Sequence, residues 1–500
     1  MKVILAGFNV DTETLKQCKD KKVCATPESI SAAYARISRS SKPVHILREE
    51  ARKEVAKARR SNRTIIFEMG HHSIAEHAVF NFDIIGISRC AVEELEKFRL
   101  CSYTEKSQRY VTLKGDFVVP KELKGPSYLK DYHEIIGLQN NFYSEIYEKI
   151  LDYLINIGSR AKRDKKQRKL FENLAKEDAR YVLAMATQTQ LGATINARNL
   201  ELMLRRFASH PLRELNELGR KLYNLIKEIA PSIVLFHKAN DYDKMTYAEL
   251  REYARRHKSS PSPPSSSFAR DKIGEQDVEL VDYTRDGDDK ILASILFRVK
   301  GIDYVKCLNL VKKMSRKAKM ELFRKSCQHM ELYDSTLREF EFANLTYSLL
   351  VSAACFGQLK RHRIATLTCQ EYDPILGCTI PESIRKIGED RRFVKIIRET
   401  ERVYKSIERK FPGIGSYILT NAHRKRVLLN VNLRELYHIS RLREDPTAQW
   451  DIRDKAHKLS KLARKVMPIS TKLLGAKAAY IDFYFRLFGK NPEVTEVPQP

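Results

Sequence analysis

VSAACFGQLKRHR, residues 351–363, decides how this chain is read. An apolar run ends in a tight cationic cluster, Lys360, Arg361, His362 and Arg363, with Gln358 just ahead of it. In a chain with 91 Lys+Arg among 500 residues, such a cluster taken alone is most often a solvated helix face. A second copy lifts it above that reading. ISRCAVEELEKFR (87–99) has the same layout: Ser88 stands nine residues before Lys97, as Ser352 stands nine before Arg361.

The parallel extends outward in both directions. Each copy is preceded by a strand-like stretch, MKVILAGF (1–8) and DVELVDYT (277–284), and followed by an N-x-R signature, TINARNLELMLRR (194–206) and VNLRELYHISRLR (431–443). Between the copies lies RRHKSSPSPPSSS (255–267), a Ser/Pro stretch with the composition of an extended linker. The expected organisation is a diverged tandem repeat: residues 1–254, a linker at 255–267, and residues 268–500.

Composition narrows the classes. No apolar run approaches the ~20 residues needed to span a bilayer, and the opening MKVILAGF reads as a first strand rather than a signal peptide. Nine scattered cysteines without a C-x-x-C pair suggest reduced thiols and a cytoplasmic protein, neither a disulfide scaffold nor a zinc site. Walker A, G-x-G-x-x-G and H-E-x-x-H motifs are absent. The net charge of +28 favours anionic partners, either phosphorylated small molecules or nucleic acid. Much of it lies in LREEARKEVAKARR (47–60) and AKRDKKQRKL (161–170), which read as solvated helix faces.

Two further segments carry candidate chemistry. In GHHSIAEHAVFNFDI (70–84), His71, Ser73, Glu76 and His77 cluster ahead of an alternating strand, and Ser73 with Glu76 also has capping-box spacing. This is not zinc spacing, so no metal is expected. In FRLCSYTEKSQRYVTL (98–113), Ser102, Glu105, Ser107 and Arg109 supply the hydroxyl, carboxylate and guanidinium groups that suit a phosphorylated, hydroxylated ligand.

Taken together these elements resemble the flavin-dependent thymidylate synthases. That family's pattern is H-x-S-x-x-E-H, a strand, R-H-R-x-x-S-x-N-E-x-S-x-R-Y, then a later N-x-R helix. The first half matches at His71, Ser73, Glu76, His77, Ser102, Glu105, Ser107, Arg109, Tyr110, Arg180, Asn196 and Arg198, and departs at Lys97-Phe98 and Thr104. The second half keeps Gln358, Arg361, His362, Arg363, Asn432, Arg434, His438, Arg443 and AQWDIR (448–453). It departs at Ser335, where the family's His would stand, at Cys369, Glu371 and Asp373 after the R-H-R cluster, and at Ser416 in place of Arg180. The counterpart of Arg443 in the first half is ambiguous between Arg205 and Arg206.

The resemblance implies an α+β fold, each repeat a twisted antiparallel sheet with long helices. It implies reductive methylation of dUMP to dTMP with FAD, methylenetetrahydrofolate and NADPH, and no protein nucleophile. On that resemblance Arg109, Arg180, Gln358, Ser107 and Glu105 bind the nucleotide. His71, Ser73, Glu76, Arg361, His362, Arg363, Asn432, Arg434 and His438 face FAD, Arg361 also reaching substrate, and Arg443 polarises the uracil. In the family each site is assembled from neighbouring subunits of a homotetramer. Here each half retains the set the other has lost, which points to a composite site and a homodimer that mimics the tetramer. A flavin enzyme for another pyrimidine nucleotide, and a non-catalytic nucleotide- or nucleic-acid-binding protein, are the alternatives.

Overall fold

The computed structural model describes residues 1–17, 25–113, 115–158, 164–257 and 277–493. The chain forms two compact units, Met1–Ser266 with Pro381–Thr420, and Ser267–Ile380 with Asn421–Pro500. The first holds an antiparallel sheet of β1 (Lys2–Phe8), β2 (Val79–Ser88), β3 (Ser102–Glu105) and β4 (Gln188–Asn196), in the order β1-β2-β4-β3. The second repeats it with β5 (Val278–Tyr283), β6 (Asn344–Ser352), β7 (Thr366–Cys369) and β8 (Arg424–Asn432), ordered β5-β6-β8-β7. The α+β class and the duplication are as the sequence implies.

Alternation sets the inner face of each sheet. Phe80, Phe82 and Ile84 on β2 are buried while Asn81, Asp83 and Ile85 are exposed; on β8, Val427, Leu429 and Val431 are buried while Arg426, Leu428 and Asn430 are exposed. The repeats agree in register down to single side-chain bonds. Asn81 Nδ2 donates to Thr194 Oγ1 across β2–β4 at 2.8 Å, and Asn430 Nδ2 donates to Thr346 Oγ1 across β6–β8 at 2.8 Å. The same cross-strand pair is thus kept with its residues exchanged. Each central strand ends in a serine that caps the next helix: Ser88 Oγ accepts the Ala91 N–H and Ser352 Oγ the Cys355 N–H, both at 3.0 Å. Both serines donate to a carboxylate, of Glu214 and Asp451 respectively.

One difference shifts the alignment. β2 has 10 residues and β6 has 9, because β2 carries a bulge at Gly86, whose φ of +73° suits glycine. Ahead of the bulge, the Ala78 carbonyl accepts from Ala197 N–H and the Ala343 carbonyl from Leu433 N–H, so those alanines correspond. Counting back from them places Thr336, not Ser335, opposite His71. A serine-to-serine spacing taken downstream of the bulge misses that step.

The compact units do not coincide with the sequence repeats. Residues 381–420 belong to the second repeat but pack in the first unit. There the helix Asp390–Lys410 buries Phe393, Ile396, Ile397, Val403 and Ile407, and Phe393 lies against Phe142 of the helix Pro126–Ile157. Gln139, fully buried on that long helix, donates to Thr400 Oγ1 at 2.9 Å and to the Ile418 carbonyl at 3.0 Å. Backbone bonds from Met185 N–H to Leu419 O and Ala186 N–H to Tyr417 O complete the seam. At the expected linker, Arg255 and Arg256 close the helix Asp241–Arg256, and residues 258–267 lie outside those described. Among the described residues no helix is long and apolar enough to cross a membrane.

Candidate functional site

In the second unit the R-H-R cluster follows a short helix, Ala353–Leu359, whose first turn is held by Ser352. The turn after it directs alternate side chains apart: Arg361 and Arg363 are exposed, while His362 is buried at 3% exposure. The helix Leu433–Arg443 delivers the partners. Arg443 Nε–H donates to His362 Nε2 at 2.9 Å, Nη1 to Gln358 Oε1 at 3.2 Å and Nη2 to the Gln358 carbonyl at 3.3 Å. His362 Nδ1 lies 3.5 Å from Glu435 Oε1, and the His438 ring stands edge-on at 5.7 Å. Burial lowers the His362 pKa and Arg443 lowers it further, against the pull of Glu435. The imidazole is therefore neutral at pH 7, as accepting from Arg443 requires.

Gln358 Nε2 is a buried donor with no partner among the described residues. Arg361 forms no ion pair among them either. An unsatisfied buried amide beside a fixed guanidinium and an exposed one suits an oxygen-rich, anionic ligand. The donor atoms of His362, Glu435 and His438 come within 4.8 Å of one another. His362 Nε2 is taken by Arg443, while Nδ1 makes no hydrogen bond among the described residues and has the Glu435 carboxylate 3.5 Å away.

Not every matched residue faces outward. Asn432 caps its helix, accepting the Glu435 N–H at 2.8 Å. Arg434 pairs with Glu341 at 3.1 Å and donates to the Thr336 carbonyl at 2.9 Å. The first unit repeats both devices: Asn196 accepts the Asn199 N–H, and Arg198 pairs with Glu76 at 2.5 Å. The N-x-R signature is thus a cap and a clamp in both repeats. Glu76 spends its carboxylate on that clamp, and Ser73 makes no capping bond: the segment is a 3-10 turn, His72–His77, entered from His71. His71 and Ser73 are exposed on it.

In the first unit Arg109 and Arg180 share one acidic neighbour. Arg109 Nε pairs with Glu177, and Arg180 Nε–H donates to the Glu177 carbonyl at 3.2 Å. Arg180 is buried at 6% exposure. Burial lowers its pKa, and the nearby Arg89 and Arg109 guanidinium groups add to that. Ser107 Oγ accepts the Arg109 N–H at 3.1 Å, shaping the turn that presents this arginine. Glu105, at the end of β3, pairs with Arg89 at 2.5 Å, both side chains buried.

The helix register also settles the counterpart of Arg443. Arg443 lies as far beyond Asn432 as Phe207 lies beyond Asn196, and His362 lies as far beyond Ser352 as Phe98 beyond Ser88. Phe98 and Phe207 pack edge to face at 5.7 Å, where the second unit has its His362–Arg443 bond. Arg205 and Arg206 instead both pair with Asp243, at 2.8 and 3.0 Å. Sequence reasoning missed Glu435, Glu177, Arg89 and Phe207. Only Glu435 left a signal, as an acid three residues after a helix-capping Asn.

Comparison with known proteins bears on the family. The family model described as thymidylate synthase complementing protein matches residues 22–232 and 279–469, one match per repeat. A UPF0159 protein of Thermoplasma acidophilum is 24% identical over 81% of this chain and 86% of its own length. A flavin-dependent thymidylate synthase of Geobacter sulfurreducens is 30% identical over 41% of this chain and 80% of its own. The solved ThyX from Helicobacter pylori complexed with FAD and dUMP covers 47% of this chain and 100% of its own, at 20% identity and a TM-score of 0.30. With family matches over most of its length and on both sheets, the chain belongs to the thymidylate synthase complementing protein family.

Proposed function

We propose that this chain is a flavin-dependent thymidylate synthase that methylates dUMP reductively, using FAD, methylenetetrahydrofolate and NADPH, and that residues of both repeats serve one reaction. The observation that carries the reading is complementary loss. Where the second repeat has Arg361, His362 and Arg443, the first has Lys97, Phe98 and Phe207; where the first has Arg109 and Arg180, the second has Asp373 and Ser416. Random decay has no reason to damage the two copies in complementary positions.

Reduced FAD, when bound, supplies the hydride. Arg361, Arg363, His71, Ser73 and His438, all exposed, are the groups that would hold it, and His362, Asn432, Arg434 and Glu76 support them from behind. Arg109 and Arg180 would bind the nucleotide phosphate, where paired guanidinium groups match a dianion. Gln358 would use its free Nε2 on the same nucleotide. Arg443, fixed through Nε and both Nη atoms, would favour negative charge on the pyrimidine edge without rearranging during the reaction. Two chains per assembly would give the repeat count of the family's tetramer.

The test is the absorption spectrum of the purified protein, followed by dTMP formation from dUMP, methylenetetrahydrofolate and NADPH. Bound flavin and dUMP-dependent product are expected. Arg443→Ala should cost about 10²–10³ in kcat with a much smaller change in dUMP affinity, as for loss of one preorganised donor. A protein free of flavin, or flavin-loaded yet inert toward dUMP, would overturn the reading.

A further inference from the structure

We infer that Glu435 is a positioning residue that holds Arg443 in place through His362, its carboxylate keeping the proton on Nδ1 so that Nε2 accepts the Arg443 Nε–H. The inference rests on the function proposed for Arg443, and its geometry lies wholly within the second unit. Glu435 is buried at 7% exposure, and its Oε1 is 3.5 Å from His362 Nδ1, a buried nitrogen that makes no hydrogen bond among the described residues and has this carboxylate beside it. At 2.9 Å from an arginine nitrogen that always carries hydrogen, His362 Nε2 can only be the acceptor. The proton of the neutral ring then belongs on Nδ1, the edge facing the carboxylate. An Nε2–H tautomer would set donor against donor and leave a buried carboxylate without its partner. The chain Glu435, His362, Arg443, Gln358 therefore has one consistent proton arrangement.

The first repeat supports treating these four as a set. Their counterparts there are Asn199, Phe98, Phe207 and Glu94, so all four have been replaced together. Asn199 turns its side chain back to Asn196 Oδ1 at 2.9 Å, and Glu94 pairs with Lys97. Where the histidine and arginine are gone, the acid at the Glu435 position is gone as well. A residue kept only for helix capping would not follow them, because Asn196 caps its helix without it.

The charged and titratable groups facing His362 are Glu435, Arg443 and His438, all on the helix Leu433–Arg443. Protonation of His362 turns Nε2 into a donor against Arg443, so activity should fall on the acid side through the His362 pKa. That pKa is already held below the ordinary imidazole range by burial, then by Arg443. Glu435 opposes the shift, so removing its charge should move the acid limb to still lower pH.

The experiment compares the full-length, flavin-loaded wild type with Glu435→Gln and Glu435→Ala, in kcat and KM against pH and in the ¹⁵N spectrum of the His362 ring. In Glu435→Gln the amide oxygen still accepts from Nδ1–H: most of kcat should remain, and the acid limb should shift downward. In Glu435→Ala, kcat should fall about 10–100-fold, the usual cost of losing an orienting partner, with KM for dUMP little changed. The wild-type ring should show the Nδ1–H tautomer, lost or mixed in Glu435→Ala. An Nε2–H wild-type ring, or a ring signal unchanged by Glu435→Ala, overturns the inference. If the wild type makes no dTMP, the functional reading fails while the ring spectrum still decides the proton arrangement.

Discussion

At the scale of single residues, the same chemical types do different work according to their neighbours. Arg109 pairs with the Glu177 carboxylate, while Arg180 donates to the Glu177 backbone carbonyl. Arg89 is of the same type and close by; it pairs with Glu105, both side chains buried, and Glu93 and Glu96 act on it as well. Burial alone would lower the Arg89 pKa, yet Glu105 reverses the sign and raises it. Removing either partner breaks a buried ion pair, so Arg89→Ala or Glu105→Ala should destabilise the first unit by roughly 3–5 kcal/mol. Urea unfolding measures this directly. A Glu105→Ala protein of normal stability and raised KM for dUMP would instead make Glu105 a substrate contact, as the motif resemblance implies.

At the scale of elements, the repeat is carried by caps, clamps and register more than by identical residues. Asn196 and Asn432 cap, Arg198 and Arg434 clamp Glu76 and Glu341, and the Asn–Thr cross-strand pair survives with its members exchanged. The N-x-R signature itself was legible from its spacing, but its clamp and the Asn–Thr pair were not, because they join residues 84–122 positions apart. Thr336 as the counterpart of His71 was not either, since one bulge at Gly86 shifts the count. Nor was Phe207, because an adjacent pair of arginines looks a better match to Arg443 than a phenylalanine does. The placement of the helix Asp390–Lys410 was also hidden: its amphipathic pattern says that it buries a face, not which sheet it covers. Phe393→Ala, a fully buried ring lost from that face, should cost roughly 3–5 kcal/mol and be read in the unfolding of the first unit. A fragment ending near residue 257 should lack cooperative unfolding until residues 381–420 are supplied. Full stability of that fragment alone would show the segment to be dispensable.

For the whole molecule, the two copies of one fold differ in which polar groups they keep. The first unit keeps the arginines suited to a phosphate and closes its own His/Arg position with Phe98 against Phe207. The second unit keeps Gln358, His362 and Arg443 as a connected polar array, and the second repeat carries Asp373 and Ser416 at the positions of Arg109 and Arg180, Ser416 within the segment that packs in the first unit. An aspartate there repels a nucleotide dianion, so the proposed function calls for a single kind of nucleotide site rather than one in each repeat. The number of dUMP molecules bound per chain, measured by titration calorimetry on the flavin-loaded protein and on Arg180→Ala and Gln358→Ala, tests this most directly. One dUMP per chain is expected, with the same binding event weakened by either substitution although the two residues come from different repeats. Two dUMP per chain, with each substitution removing only one of them, would contradict it.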